Sequence, residues 1–253
     1  MNQKNNRRNF VKTAATGVIA SLSIPSIVTS AFAGERSKKT ILNQDDVVLF
    51  QGDSITDWGR DHNKNIANDF GTLGSGYVLL TASGLLREYA AKNLKIYNKG
   101  ISGNKVFQLS DRWDTDALTI KPNVLSIMIG VNDYWHTITS GYKGTLDIYR
   151  DDYRKLLDRT QKALPGVKFI IGEPFAMKGV KAVDDTWYPA FDGYRQVSRE
   201  TASEFGATFI PYQSVMDEAL KLAPASYWSL DGVHPSTAGA ALMAYAWQNA
   251  VKG

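Results

Sequence analysis

The sequence predicts an α/β protein, a three-layer αβα sandwich around a parallel sheet of roughly five strands. Three observations predict it. Short runs rich in Val, Ile, Leu and Phe alternate with longer runs whose apolar residues recur every three or four positions, the pattern of right-handed βαβ crossovers. The strand candidates are apolar nearly throughout, as strands buried on both faces are. Beyond Gly34 there is no internal repeat, low-complexity linker or break in composition, so residues 34–253 read as one domain. With 253 residues, 43% hydrophobic and 21% charged, the chain can bury a sizeable core and is neither disordered nor coiled-coil in character.

The chain opens on an address. Residues 1–33 carry Lys4, Arg7, Arg8 and Lys12 and no acid. The pair Arg7-Arg8 precedes Phe10, Val11 and Lys12, a modestly apolar run follows over 14–28, and Ala31-Phe32-Ala33 is a small-x-small cleavage site. These are the parts of an export signal, and the paired arginines point to the twin-arginine route. The expectation is cleavage after Ala33, a mature chain of 220 residues (253 less 33) and a periplasmic or secreted location. Pro25 and the hydroxyl residues Ser21, Ser23, Ser26, Thr29 and Ser30 dilute the run well below the ~20 apolar residues of a membrane span. No second hydrophobic stretch follows, so no integral membrane association is expected. Setting the four basic residues aside, the 29 Lys and Arg become 25 against 25 Asp and Glu, and no nucleic-acid-binding face is supported.

After a polar stretch at 35–45, Val47-Val48-Leu49-Phe50-Gln51 reads as a buried first strand ending at Gly52. Residues 77–91 predict a helix, with Val78, Leu79, Ala82, Leu85, Leu86 and Tyr89 at helical spacing. Residues 95–98 predict a second strand that runs into a Gly-rich turn, and 112–118 a helix that Pro122 stops before a third strand at 124–129. The clearest helix is 145–164, where Leu146, Tyr149, Tyr153, Leu156, Leu157, Thr160 and Leu164 share one face and Pro165-Gly166 closes it. Strands at 167–171 and 208–210 and helices at 194–205, 214–222 and 236–251 complete the domain. The irregular stretch 176–189 reads as a long loop.

Open α/β sheets bind ligands beyond the carboxyl ends of their strands. Four segments lie there or lead into the last helix: Gly52-Asp53-Ser54-Ile55-Thr56, Gly100-Ile101-Ser102-Gly103-Asn104, Gly130-Val131-Asn132-Asp133 and Asp231-Gly232-Val233-His234-Pro235. Their contents suit nucleophilic catalysis. A serine hydroxyl needs a base, and of the three histidines only His234 lies in a suitable loop, with Asp231 close enough to orient it. The backbone N–H groups of Ser54 and Gly103 and the amide of Asn132 supply three donors for an oxyanion. Taken singly, Asp53-Ser54 is also a helix cap, the glycines are also turn residues, and Asp231-His234 is also a surface turn. Their joint occurrence, in this order, favours the catalytic reading. His136 is expected at the rim of the site and His62 in a solvated loop.

These segments resemble the conserved blocks of the SGNH or GDSL hydrolase superfamily, whose Ser, Gly, Asn and His match Ser54, Gly103, Asn132 and His234. The runs "GDSITDWGR", "NKGISGNKV", "KPNVLSIMIGVNDYW" and "DGVHPSTAG" are similar to the branch containing bacterial acetylxylan esterases and related carbohydrate deacetylases. The resemblance implies a flavodoxin-like parallel sheet of order 2-1-3-4-5, Ser54 as nucleophile, His234 as base, Asp231 as its partner, and Ser54, Gly103 and Asn132 as the oxyanion hole. It implies hydrolysis of acetyl esters on carbohydrate. The chain departs from that branch in its export signal and in Trp58, where relatives carry smaller residues.

Other chemistries lack their residues. With no Cys there is no disulfide, thiolate metal site or cysteine nucleophile. There is no G-x-S-x-G elbow, no Gly-Lys pair for a phosphate loop and no His-x-x-x-His, so neither metal nor cofactor is expected. Asp53, Trp58 and Trp135 are candidate substrate-binding residues, and Tyr134, Trp187, Tyr188 and Trp228 offer further flat faces for sugar rings, at least half of these aromatics being expected in the core. No long apolar lid appears, which disfavours long acyl chains. A lysophospholipase or thioesterase of the same fold and, more distantly, a non-catalytic carbohydrate-binding protein are the alternatives. The sequence leaves a homo-oligomer open.

Overall fold

The computed structural model describes residues 23–34 and 39–253. In chain order the strands are β1 (Thr40–Ile41), β2 (Val47–Gly52), β3 (Lys95–Asn98), β4 (Val124–Met128), β5 (Lys168–Gly172), β6 (Thr208–Ile210) and β7 (Val251–Lys252). β2 to β6 form one parallel sheet in the order β3-β2-β4-β5-β6, which is 2-1-3-4-5 when the central strands are counted alone. β1 pairs with β7 through Thr40–Val251 and Ile41–Lys252, tying the start of the domain to its end.

The helices are α1 (Ile24–Phe32), α2 (Ser54–Asp57), α3 (Phe70–Leu73), α4 (Tyr77–Glu88), α5 (Val106–Asp111), α6 (Val131–Thr139), α7 (Leu146–Ala163), α8 (Ala190–Glu204), α9 (Tyr212–Ala219), α10 (Ala225–Trp228) and α11 (Thr237–Asn249). Successive strand residues point to opposite faces, so the sheet divides its side chains between two helical layers. Phe50, which pairs with Ser126, points toward α4 and α11: its ring lies 6.0 Å from Tyr77 and 5.1 Å from Trp247, whose indole N–H donates to Ser126 Oγ at 2.9 Å. In the other layer, α7 packs against α5 and α8. There Trp113 donates its indole N–H to Thr160 Oγ1 at 2.8 Å, so the buried indoles of both layers are paired.

Several boundaries differ from the sequence reading. The helix expected at 112–118 is a wider, π-type turn over Asp114–Leu118, and α5 precedes it where no helix was expected. α8 begins at Ala190 rather than 194, directly after Pro189 at its N-cap. The polar stretch 35–45 contains β1, whose two residues are too few to show a period. α6 was not foreseen, because Asn132, Asp133, Thr137 and Thr139 interrupt its apolar pattern.

Within the proposed leader, α1 is helical, capped by Ser23, and packs Ile27 and Val28 against α9 and α11. The Arg7-Arg8 motif lies outside the described residues.

Candidate active site

Ser54 is the first residue of α2, immediately beyond the carboxyl end of central strand β2. Asp53 caps that helix, its Oδ1 accepting the N–H of Ile55 at 3.0 Å. Asp53 is only 1% exposed, and burial pushes its carboxyl up to about 7 against the hydrogen bond from Ile55 and the field of His234. As a substrate-binding candidate it is therefore corrected: the cap turns its side chain inward.

The loop before α11 brings His234 to Ser54, with Ser54 Oγ and His234 Nε2 2.8 Å apart. Asp231 Oδ2 lies 2.7 Å from His234 Nδ1, while its Oδ1 accepts the backbone N–H groups of Val233 at 2.9 Å and His234 at 2.7 Å. Burial raises the Asp231 carboxyl, but the hydrogen bonds from His234 and Val233 outweigh it and hold it at about 2. The same hydrogen bond raises the His234 imidazole above its usual 6.5 against the opposing effect of burial. A carboxylate acceptor on Nδ1 leaves the lone pair of Nε2 for the serine hydroxyl, so the trio can move a proton off Oγ.

The long loop 176–189 carries this trio's support. Met177 N–H donates to Gly232 O at 2.7 Å and Ala182 N–H to Asp231 O at 2.9 Å, while Ser229 Oγ donates to His234 O and accepts from Gly232 N–H.

The turn after β3 is held from α2 and the residues just beyond it. Asp57 Oδ2 accepts both the N–H (3.0 Å) and the Oγ–H (2.7 Å) of Ser102, and Arg60 Nε donates to Gly100 O at 2.7 Å. These bonds fix Gly103, whose φ of +79° lies in the left-handed region where a side chain is strained. Asn132, 3% exposed at the start of α6, donates one amide hydrogen to Asn104 O at 3.2 Å and keeps the second free of any partner among the described residues. Asp133 beside it is buried, its Oδ1 accepting from Val106 N–H and its Oδ2 without a partner among the described residues. Burial pushes this carboxyl up to about 7.

An open cleft of about 380 Å³ lies over these groups, lined by Ser54, Trp58, Gly59, Ser75, Ser102 and His234. Trp58 and Trp135 are half-buried, their rings 5.9 and 6.2 Å from the His234 ring. Trp58 fits because Gly76 has no side chain: a Cβ there would stand 2.7 Å from the Trp58 Cβ. Tyr134, Trp187 and Trp228 are core residues instead, Tyr134 and Trp187 packing edge-on at 5.3 Å. Tyr188 is half-buried with its hydroxyl bonded to Ala176 O. His62 is exposed, as expected for a loop, with its Nε2 2.9 Å from Asp57 Oδ1.

A model of the GDSL-like lipase/acylhydrolase family matches residues 50–242. The chain belongs to that family. An acetylxylan esterase from Geobacillus stearothermophilus is 35% identical to it over 204 residues, 79% of this chain and 91% of that protein. A solved chain from Parabacteroides merdae, described as a GDSL-like lipase, superposes with a TM-score of 0.83 at 54% identity, covering 84% of this chain and 98% of that one. The Geobacillus stearothermophilus esterase Axe2 superposes with a TM-score of 0.75 at 33% identity, over 84% of this chain and 96% of that one. Solved forms of Axe2 include catalytic mutants in which a serine, an aspartate or a histidine is replaced by alanine. This GDSL-family chain is thus a carboxylic ester hydrolase of the acetylxylan esterase branch.

The sequence reading missed the braces of this candidate site, Asp57, Arg60 and Ser102. The available signal was position: all three sit inside or beside the two blocks that carry Ser54 and Gly103.

Proposed function

We propose that the protein is a serine esterase that removes acetyl groups from carbohydrate, acetylated xylan or a related plant or algal oligosaccharide, outside the cytoplasm. The observation that carries the reading is the unbroken relay from Ser54 Oγ to His234 at 2.8 Å and from His234 to Asp231 at 2.7 Å. The likeness to an acetylxylan esterase supports the choice of substrate. The cleft supports it too, since among the described residues that line it Trp58 is the one large apolar side chain. That shape weighs against a lysophospholipase.

In the proposed reaction Ser54 Oγ attacks the acetyl carbonyl carbon while its proton passes to His234 Nε2, and Asp231 stabilises the imidazolium. The backbone N–H groups of Ser54 and Gly103 and the amide of Asn132 receive the negative oxygen. Collapse breaks the bond to the sugar oxygen, which takes the proton from His234 and leaves acetyl-Ser54. A water molecule then gives a proton to His234 as it attacks the acetyl carbon. Acetate departs and Ser54 recovers its proton. Trp58 and Trp135, flanking His234, present flat faces to the sugar.

The test is acetate release from acetylated xylo-oligosaccharides by residues 34–253, beside Ser54→Ala. Release by wild type that the variant abolishes is the expected result. Turnover of simple acetyl esters without release from the oligosaccharide overturns the carbohydrate assignment.

A further inference from the structure

His136 lies one helical turn after Asn132 on α6, so the two side chains share a face of that helix. Its Cε1 atom comes within 3.9 Å of the position a side chain at Gly103 would take. The imidazole therefore borders the turn to which the oxyanion is assigned, and it is half-buried rather than enclosed.

The other side of the ring is fixed by Lys105, whose Nζ lies 3.0 Å from His136 Nδ1. Lys105 is 8% exposed, and the one hydrogen-bonding partner of its Nζ among the described residues is His136. Its ammonium instead lies over the faces of Phe107 and Tyr142, at 5.7 and 5.0 Å from the ring centres, and those two rings stack at 6.0 Å. An ammonium has hydrogens to give and no lone pair, so Nδ1 must accept and the ring proton must sit on Nε2. A nearly buried cation costs free energy unless it is paired. Here the π faces offset part of that cost, and what the arrangement secures is one tautomer of one histidine. Burial and the adjacent Lys105 cation both hold the imidazole below its usual value, which keeps it neutral near pH 7.

We propose that His136, held by Lys105 in its Nε2–H form, is a specificity-determining residue that donates a hydrogen bond to a substrate oxygen on the alcohol side of the scissile ester. The identity of that oxygen as a sugar hydroxyl or ring oxygen rests on the carbohydrate reading above. The donor itself does not.

The experiment compares wild type with His136→Phe, which keeps the ring bulk and loses the donor, and His136→Gln, which keeps a donor. kcat and KM are measured on acetylated xylo-oligosaccharides, glycerol triacetate and 4-nitrophenyl acetate. For His136→Phe the ratio of kcat/KM on oligosaccharide to kcat/KM on 4-nitrophenyl acetate is expected to fall roughly three- to tenfold, the range of one neutral hydrogen bond. The fall is expected in KM, with recovery in His136→Gln. Equal losses on both esters overturn the proposal. If wild type leaves the oligosaccharide untouched, the carbohydrate reading has failed, and the same ratio with glycerol triacetate, which carries oxygens near its ester but no sugar ring, decides on His136. A long-range proton–nitrogen NMR correlation gives the tautomer directly. An Nε2–H signal in wild type, giving way to a mixture in Lys105→Met, is expected. An Nδ1–H signal in wild type overturns the proposal.

Discussion

Replacing Asp231 by Asn exchanges one contact and can leave the others intact. Asp231 Oδ1 accepts two backbone N–H groups, from Val233 at 2.9 Å and His234 at 2.7 Å, and a carboxamide oxygen can keep both. Keeping them turns the new NH₂ group toward His234 Nδ1, where Oδ2 now lies at 2.7 Å. Two N–H groups cannot share that contact, so Nδ1 becomes an acceptor and the ring proton moves to Nε2. There it faces Ser54 Oγ across 2.8 Å and presents a hydrogen where a lone pair is required. The same tautomer error in another Ser-His-Asp hydrolase lowers kcat about 10⁴-fold. At ~1.36 kcal/mol per decade that is about 5.5 kcal/mol of barrier. The assay is kcat on 4-nitrophenyl acetate, beside a thermal melt that should stay near wild type because the loop keeps its backbone bonds. A variant that melts like wild type and turns over within tenfold of it refutes the argument that Asp231 sets the base.

Three further outcomes are expected. His234 must be neutral to accept the Ser54 proton, and its imidazole is raised by Asp231, so kcat/KM should climb with pH through a midpoint above 6.5; a pH–rate profile with its acid limb below 6.5 contradicts this. Asp57→Ala removes both anchors of Ser102 and should lower kcat about a hundredfold, the scale of a misplaced catalytic group. Asp57→Asn, whose amide oxygen can take both Ser102 donors, should recover most of that loss, and an unaltered kcat in Asp57→Ala refutes the brace. Arg7→Lys with Arg8→Lys should hold the full-length chain in the cytoplasm, scored by cell fractionation, and continued export of the double variant refutes the twin-arginine assignment.

The reach of the sequence into this molecule follows from residue scarcity and chain distance. His234 could be singled out because only three histidines exist, and Asp231 because it stands three positions away in the same loop. Ser54 and Asn132 could be picked out because each comes soon after a strand with a nearly unbroken apolar run, and Gly103 because it sits in the Gly-rich turn after the short strand Lys95–Asn98. Asp57 and Ser102 were not, since they meet across 45 positions and Asp and Ser are too common to draw notice. The aromatics divided for a similar reason: burial is a property of the packed neighbour. Tyr134 and Trp187 bury one another, while Trp58 stays at the cleft because of an absent side chain at Gly76.

That division also explains how the site is built. Ser54 and Asp57 lie on the same four-residue helix, and Asp57 and the nearby Arg60 grip the turn that holds Gly103. Ser54 and the Gly103 turn thus form one unit, registered through α2. Asp231 and His234 form another, held by the 176–189 loop through Met177 and Ala182. The two units meet at the Ser54–His234 contact. Disturbing the 176–189 loop should therefore displace the base and move the acid limb of the pH profile, whereas disturbing Asp57 should lower kcat and leave that limb in place. Variants in different units should combine additively until Ser54 and His234 separate, beyond which a second change has no proton transfer left to impair.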